Sequence, residues 1–188
     1  SILFVCCLYS NPSSLNSYNP ILIIIYGWIL VSINIVLTFI DIEVLWLPSK
    51  ITNSGILIGL LIQALQFVQN DNSENYSIFT NHLKASILIF IVLRAFSHIT
   101  KIIIKKDILG RGDANLMALA GAWLGTTGIE IVAIQTILLA GTFSGISIIS
   151  GFLKRGSYIP LGAFIAPSII ATWILGNDFW VKNLGNLL

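Results

Sequence analysis

The sequence predicts an all-α fold, a bundle of helices that crosses a membrane several times. Of its 188 residues, 56% are hydrophobic and only 10% are charged, whereas about a quarter of the residues in a soluble domain are charged. The mean hydropathy is +0.91. Uncharged segments of about 20 residues recur along the chain, and each is long enough to cross a bilayer as a helix.

The first half of the chain predicts three spans. The first covers residues 20–40 and ends at Asp41. The second covers residues 51–69 and is followed by a polar run over residues 69–75, which predicts an aqueous loop. The third covers residues 83–104 and leads into a strongly basic loop.

The second half completes a bundle of about six spans. A short apolar helix is predicted over residues 114–124, and the glycines of the segment Gly125–Gly128 are expected to end it. An uncharged run over residues 131–153 predicts the next span. The last covers residues 158–176, where neighbouring helices can accommodate the proline at position 167.

Residues 1–19 are expected to be the remnant of an N-terminal helix with its loop, and residues 20–188 to form one membrane-embedded domain. The opening apolar stretch stops at Ser10, which is too short for a span, and it lacks the basic start of a signal peptide. Cys6 and Cys7 are adjacent, which fits neither a CxxC metal site nor a structural disulfide. No soluble domain of useful size is left over.

The basic residues separate the two membrane faces, because cytoplasmic loops carry the excess of Lys and Arg. Alternate loops place seven of the ten basic residues on one side: Lys50, Lys101, Lys105, Lys106, Arg111, Lys154 and Arg155. Asp41 and Asp113 both fall on that side, at the ends of predicted spans. The sequence therefore predicts two acids on the cytoplasmic face of helices that can pack together.

Both acids lie in short polar breaks, where a carboxylate is costly and is therefore a functional candidate. Gly110 and Gly112 precede Asp113 and permit a tight turn and a close approach by another segment. Asp41 is followed by Glu43 and by Pro48, which prevents simple continuation of the helix. Taken alone, Asp113 is equally well explained as a helix N-cap that follows glycine turn residues, and Asp41 as a helix terminus.

Two carboxyl groups on one face can hydrolyse a peptide bond together. One carboxylate activates water as a base, and the other, kept protonated, donates to the carbonyl oxygen. Like charges a few ångströms apart resist double ionisation, so such a pair shares one proton. The motifs therefore favour an aspartic peptidase.

The segments around the two acids also resemble a known family. The pattern Asp41-x6-Pro48, the motif from Gly110 to Asp113 with its continuation to Gly125, and the segment Pro160–Phe164 look like the type IV prepilin peptidase family of membrane aspartyl proteases. The resemblance covers nearly the whole chain from about residue 20, in the same order.

The resemblance implies cleavage of the basic leader peptide from type IV prepilins or pseudopilins at the cytoplasmic face of the inner membrane. Asp41 and Asp113 would be the catalytic dyad, supported by Glu43, Pro48 and the glycines 110 and 112. It implies no metal, no organic cofactor and no nucleic acid. The N-terminal methyltransferase region of many members is not seen, so methylation is not expected.

Three positions depart from the family pattern. Asn115 stands where the family usually has Lys, which removes a positive charge close to the second acid. Glu43 replaces the commoner Asp of the first motif, and Ser49 replaces an acid. We expect these changes to alter efficiency or substrate handling, not the class of reaction.

Other polar side chains favour plainer interpretations. Arg94, His98, Lys101 and Lys105 form a basic stripe on one helix, which is better explained by side chains that reach the membrane surface or bind anionic lipid than by pairing with an acid. His82 is expected to be a solvated loop residue. Gly121 with Gly125, and Gly141 with Gly145, predict close helix packing.

Three alternative functions remain open. A secondary carrier uses intramembrane acids, but it should place them near the midplane and show an internal repeat. A presenilin-like protease also uses a GxGD motif, but it lacks the Asp41-x6-Pro48 context. An inactive homologue that only binds or assembles is disfavoured by the intact pair of acids.

Overall fold

The computed structural model describes residues 20–69, 73–105, 110–152 and 159–185, and these residues form helices without any strand. In chain order the helices are α1 (Pro20–Val44), α2 (Ser49–Gln69), α3 (Ser73–Ile104), α4 (Arg111–Ile149), α5 (Gly162–Leu175) and α6 (Asn177–Gly185). The predicted all-α fold is confirmed. The expected N-terminal remnant, residues 1–19, lies outside the described residues.

The described helices provide fewer spans than the sequence predicts. Helices α1 to α4 are each long and apolar enough to cross a membrane, and α5 with α6 makes a fifth span only if this pair, bent by 99°, is counted as one. The prediction of about six spans is therefore too high. The predicted segments 114–124 and 131–153 correspond to the two parts of α4, which meet at a kink at Gly125 without a separate loop.

Helix α3 begins earlier than the sequence predicts. It starts at Ser73 and not at residue 83, so the prediction of a loop throughout residues 69–75 is wrong for its last three residues. Polar residues can continue a helix beyond its apolar part, because they only need water or headgroups around them. Most of the large apolar side chains along α3 are exposed on the surface of the bundle.

Helix α4 is the centre of the bundle, and it packs against α3, α5 and α2, while α1 packs mainly against α5. The largest fully buried apolar side chains come from these helices: Leu30, Leu37, Leu116, Leu119, Ile165 and Ile169. At Gly121, an added Cβ would lie 2.7 Å from the backbone nitrogen of Ser86. The predicted close packing at Gly121 is confirmed, since α3 and α4 touch through their backbones there.

The other predicted glycine contact is wrong within the described residues. A Cβ added at Gly141 or Gly145 would meet nothing within 4 Å. The two glycines lie in the second half of α4, beyond the part that packs tightly against α3. Small residues permit a close approach but do not require one, so their spacing alone is not sufficient for the prediction.

Helix α4 is interrupted at Gly125, where the sequence predicts the end of a helix. Gly125 has φ 72° and ψ −169°, which is not helical. A break in a helix frees carbonyl groups that need other donors inside a membrane. His82 donates through Nδ1 to the oxygen of Ala122 at 3.1 Å, and Asn177 donates to the oxygen of Leu124 at 3.3 Å.

This arrangement corrects the prediction for His82. The residue is buried within α3, not solvated in a loop. Its position directly before the predicted span, which begins at residue 83, suggested a loop, but α3 extends over it. The carbonyl that it binds becomes available only through the break on α4, so no local pattern around His82 indicates this partner.

Candidate active site

Asp41 is buried in the last turn of α1, which ends at a change in backbone direction. Leu45 has a φ of 52°, and its N–H donates to the carbonyl of Asp41 at 3.0 Å. The carbonyl of Pro48 accepts from the N–H groups of Ile51 and Thr52 and so begins α2. The predicted role of Pro48 as a helix breaker agrees with this geometry.

The carboxyl group of Asp41 lies at the N-terminus of α5. Its Oδ2 accepts the N–H of Ala163 at 2.9 Å. The first N–H groups of a helix have no partner within the helix and favour negative charge. A Cβ at Gly162 would lie 2.8 Å from this same oxygen, so glycine leaves the space that the carboxyl occupies.

Asp113 is the third residue of α4 and is also buried. Its Oδ2 accepts the N–H of Gly110 at 3.0 Å, while its own N–H donates to the carbonyl of Gly110 at 3.2 Å. These bonds close the turn before the helix. The structural interpretation of this acid, a side chain that stabilises a helix start, therefore applies alongside any chemical role.

Leu47 lies between the segments that carry the two acids. A Cβ added at Gly112 would be 2.5 Å from the Cβ of Leu47, and one added at Gly162 would be 2.8 Å from its Cδ1. The close approach expected at Gly112 is therefore present, and the segment that approaches contains Leu47. Because this side chain is buried, it fixes how near α4 and α5 come to the end of α1.

Asp41 and Asp113 line one cavity of about 780 Å³. The cavity is bounded by the end of α1, the start of α2, the last turns of α3, the start of α4 and residues 159–161 before α5. The structure thus brings together the two acids that the sequence singles out, although 71 residues separate them in the chain.

The remaining predicted site residues have different positions. Gly110 and Gly112 line the cavity, and so does Asn115, whose amide donates to Asn53 Oδ1 at 3.4 Å. Ser49 also lines it. Glu43 is exposed in the last turn of α1 and is not among the residues that line the cavity.

The cavity wall includes three residues of the basic stripe, Arg94, His98 and Lys101. The sequence favoured contacts of the stripe with the membrane surface, but these three face the cavity that holds the acids. Sequence reasoning also did not single out Leu47 or the N–H of Ala163. The pattern Pro160-Leu161-Gly162 before an apolar run was the available signal for the start of α5.

No group of three or more His, Cys, Asp or Glu side chains that would suit a metal ion occurs among the described residues. The chemical groups that the structure offers at this cavity are two carboxyl groups, backbone N–H donors and a basic wall. Each carboxyl has two oxygens, so a backbone N–H bound to one leaves the other able to accept from water or donate to a carbonyl.

The model of the type IV leader peptidase family matches residues 28–175. A prepilin leader peptidase/N-methyltransferase of Aeromonas hydrophila is 32% identical over 152 residues, which cover 78% of this chain and 46% of that protein. A protein with the same name in Aeromonas salmonicida (strain A449) is 31% identical over 151 residues, which cover 78% of this chain and 45% of that protein. Another in Pectobacterium carotovorum subsp. carotovorum is 33% identical over 118 residues, which cover 63% of this chain and 38% of that protein.

This chain spans less than half the length of these curated relatives. The comparison with solved structures returned no match. The family match covers most of the chain, including both acids, α1 from Trp28 onwards and α2 to α5. The chain belongs to the type IV leader peptidase family.

Proposed function

We propose that this chain is a membrane aspartic endopeptidase that cleaves the leader peptide of type IV prepilins or pseudopilins. The observation that carries the proposal is that Asp41 and Asp113, from two different helices, line the same cavity. The names of the relatives in the family supply the substrate class.

In the proposed mechanism the two carboxyl groups share one proton. The ionised carboxyl accepts a proton from a water molecule, whose oxygen attacks the scissile carbonyl carbon. The protonated carboxyl donates to the carbonyl oxygen, which becomes a hydroxyl in the tetrahedral intermediate. When the C–N bond breaks, the nitrogen takes a proton from the carboxyl that accepted one. A hydroxyl of the intermediate gives its proton to the other carboxylate as the carbonyl forms again, and the dyad returns to its starting state.

The contacts of the two acids suit this role. Backbone N–H groups of Ala163 and Gly110 hold one oxygen of each carboxyl. Such donors orient a side chain without supplying a competing proton acceptor, because a peptide N–H only donates. Rigid positioning of both carboxyls lowers the entropy that must be lost when water and peptide meet.

The position of the acids weighs against the carrier alternative. Asp41 lies in the last turn of α1 and Asp113 in the first turn of α4. Both are therefore at the ends of membrane-crossing helices, whereas a carrier holds its ion near the midplane. We place the cavity at the cytoplasmic face of the inner membrane, since Lys50, Lys101 and Lys105 lie at the same end of the bundle.

The test is cleavage of a prepilin-like substrate by membranes that contain this chain. Asp41→Asn and Asp113→Asn should each lower the rate at least about a hundredfold, because each removes a proton-transfer group. Asp178→Asn is the matched control, since Asp178 is an exposed acid on α6 away from the cavity. Its rate should equal that of the parent at the same amount of protein.

Two results would contradict the proposal. If the parent leaves several prepilin-like substrates intact, the chain is a homologue without peptidase activity of its own. If the parent cleaves but either Asn variant retains full activity, the dyad mechanism is wrong. The pH dependence gives a further check, because one ionised and one protonated carboxyl produce a bell-shaped profile.

A further inference from the structure

Two polar side chains deep in the bundle each have an atom without a hydrogen bond. Asn34 on α1 is fully buried, and Trp173 on α5 is 5% exposed. Within the described residues, neither Asn34 Oδ1 nor Trp173 Nε1 has a hydrogen-bond partner. Inside a membrane such a buried atom is costly, and a native fold usually gives it a partner.

The two atoms are chemically complementary. An amide oxygen only accepts hydrogen bonds, and an indole N–H only donates. The amide nitrogen of Asn34 already donates to the carbonyl of Leu30 at 2.9 Å. The free atom of Asn34 is therefore the acceptor, and the free atom of Trp173 is a donor that suits it.

The contact between Asp41 and the start of α5 sets the register of α1 against α5. A Cβ added at Gly162 would lie 2.8 Å from Asp41 Oδ2, so the last turn of α1 meets the first turn of α5 and the two helices run in opposite directions. Asn34 lies seven residues before Asp41, and Trp173 lies eleven residues after Gly162. Both spacings are close to whole helical turns, so both side chains are on the faces that make this contact.

The helix geometry also brings the two side chains to a similar depth. At about 1.5 Å per residue, Asn34 lies about 10 Å and Trp173 about 16 Å from the level of Asp41. Side chains in a helix lean towards its N-terminus. Because α1 and α5 run in opposite directions, Asn34 leans away from the dyad and Trp173 leans towards it. The two side chains therefore lean towards each other.

We propose that Asn34 and Trp173 form a buried polar link between α1 and α5 and act as positioning residues for Asp41. In this link the indole N–H donates to one bound water molecule, and that water donates to Asn34 Oδ1. Helix α1 packs mainly against α5. The link would hold the two helices together about three turns from the N–H of Ala163, which binds Asp41. The positioning role rests on the proposed peptidase function, whereas the link itself does not.

Thermal unfolding of the whole chain tests the link. Asn34→Leu should lower the unfolding temperature of the parent, because it leaves the Trp173 N–H without a partner. In a Trp173→Phe background it should not lower the temperature, because no N–H remains to be left unpaired. Phenylalanine keeps an aromatic ring opposite Trp123, whose ring centre lies 6.0 Å from that of Trp173.

Gln66→Leu is the matched control for this comparison. Gln66 is also buried, and its Nε2 has no partner among the described residues. It lies on α2, which packs mainly against α4 and α3, so it is not part of the link. Gln66→Leu should therefore change the unfolding temperature equally in the parent and in the Trp173→Phe background.

Cleavage kinetics test the positioning role. Asn34→Leu and Trp173→Phe should each lower kcat about tenfold, because Asp41 is then held less accurately against the reacting carbonyl. KM should stay within about twofold of the parent, since neither residue lines the cavity. The double variant should lose about tenfold and not a hundredfold, because both changes break the same link. Gln66→Leu should keep the kcat of the parent when rates are compared per folded protein.

Three results would overturn all or part of the proposal. If Asn34→Leu changes the unfolding temperature equally in both backgrounds, the link is absent, whatever the activity. If the backgrounds differ but kcat stays at the parent value, the link exists and the positioning role is wrong. If the backgrounds differ but the parent cleaves no substrate, the proposed function fails, and with it the positioning role, although the link stands.

Discussion

At the scale of single residues, Gly112 is the position where a small change should disturb the site most directly. An added Cβ would lie 2.5 Å from the Cβ of Leu47, and a Cβ cannot rotate away as the end of a long side chain can. Gly112→Ala should therefore displace Asp113 and destabilise the protein by about 1–3 kcal/mol, the usual cost of overpacking.

The measurement is thermal unfolding in detergent together with the cleavage rate. Gly141→Ala is the control, because nothing lies within 4 Å of a Cβ there, and it should match or exceed the parent in stability. A Gly112→Ala protein with normal stability and activity would show that this contact does not position the dyad.

The residues themselves show what a sequence can predict about this site. Asp41 and Asp113 stand out because a carboxyl at the end of an apolar span is costly, and the glycine at 112 indicates a close approach. The partner in that approach, Leu47, carries no such signal, since a leucine is ordinary in an apolar chain. The N–H of Ala163 binds Asp41 across 122 positions, and only the tertiary fold brings them together.

At the scale of elements, the break in α4 depends on Gly125. Its φ of 72° and ψ of −169° lie in a region that is essentially restricted to glycine, and another residue there costs about 1–3 kcal/mol. Gly125→Ala should lower the unfolding temperature and weaken the contacts that His82 and Asn177 make with the freed carbonyls.

Thermal unfolding of Gly125→Ala beside Gly145→Ala tests this prediction. Gly145 lies in the same helix with a helical backbone and open space around it, so alanine should be harmless there. Equal stability of the two variants would mean that the bundle tolerates a continuous helix at this point.

The elements were only partly predictable. Gly125 and the following polar residues indicated a break, and the break is present. The sequence did not show that α4 continues directly beyond it, or that Gly176, with φ 79°, turns α5 into α6 at 99°. A glycine signals that a helix can bend, but the packing of neighbouring helices decides whether it bends, ends or continues, and this explains the excess in the predicted number of spans.

At the scale of the whole molecule, the fold places both acids at one end of the bundle, and the distribution of Lys and Arg sets which side of the membrane that end faces. Cysteine labelling tests the orientation. In a parent with Cys6 and Cys7 replaced by serine, Ser49→Cys reports the cavity end. Thr127→Cys reports the other end, because it lies about 21 Å further along α4 than Asp113, at about 1.5 Å per residue.

A maleimide that cannot cross membranes should label Thr127→Cys in intact spheroplasts, and it should label Ser49→Cys only after the membrane is opened. Both positions are exposed, so a lack of reaction reports the membrane barrier and not burial in the protein. The expectation follows from the excess of basic residues at the cavity end, which resists transfer across the membrane. The reverse pattern would place the dyad outside the cytoplasm, where a leader that remains in the cytoplasm cannot reach it.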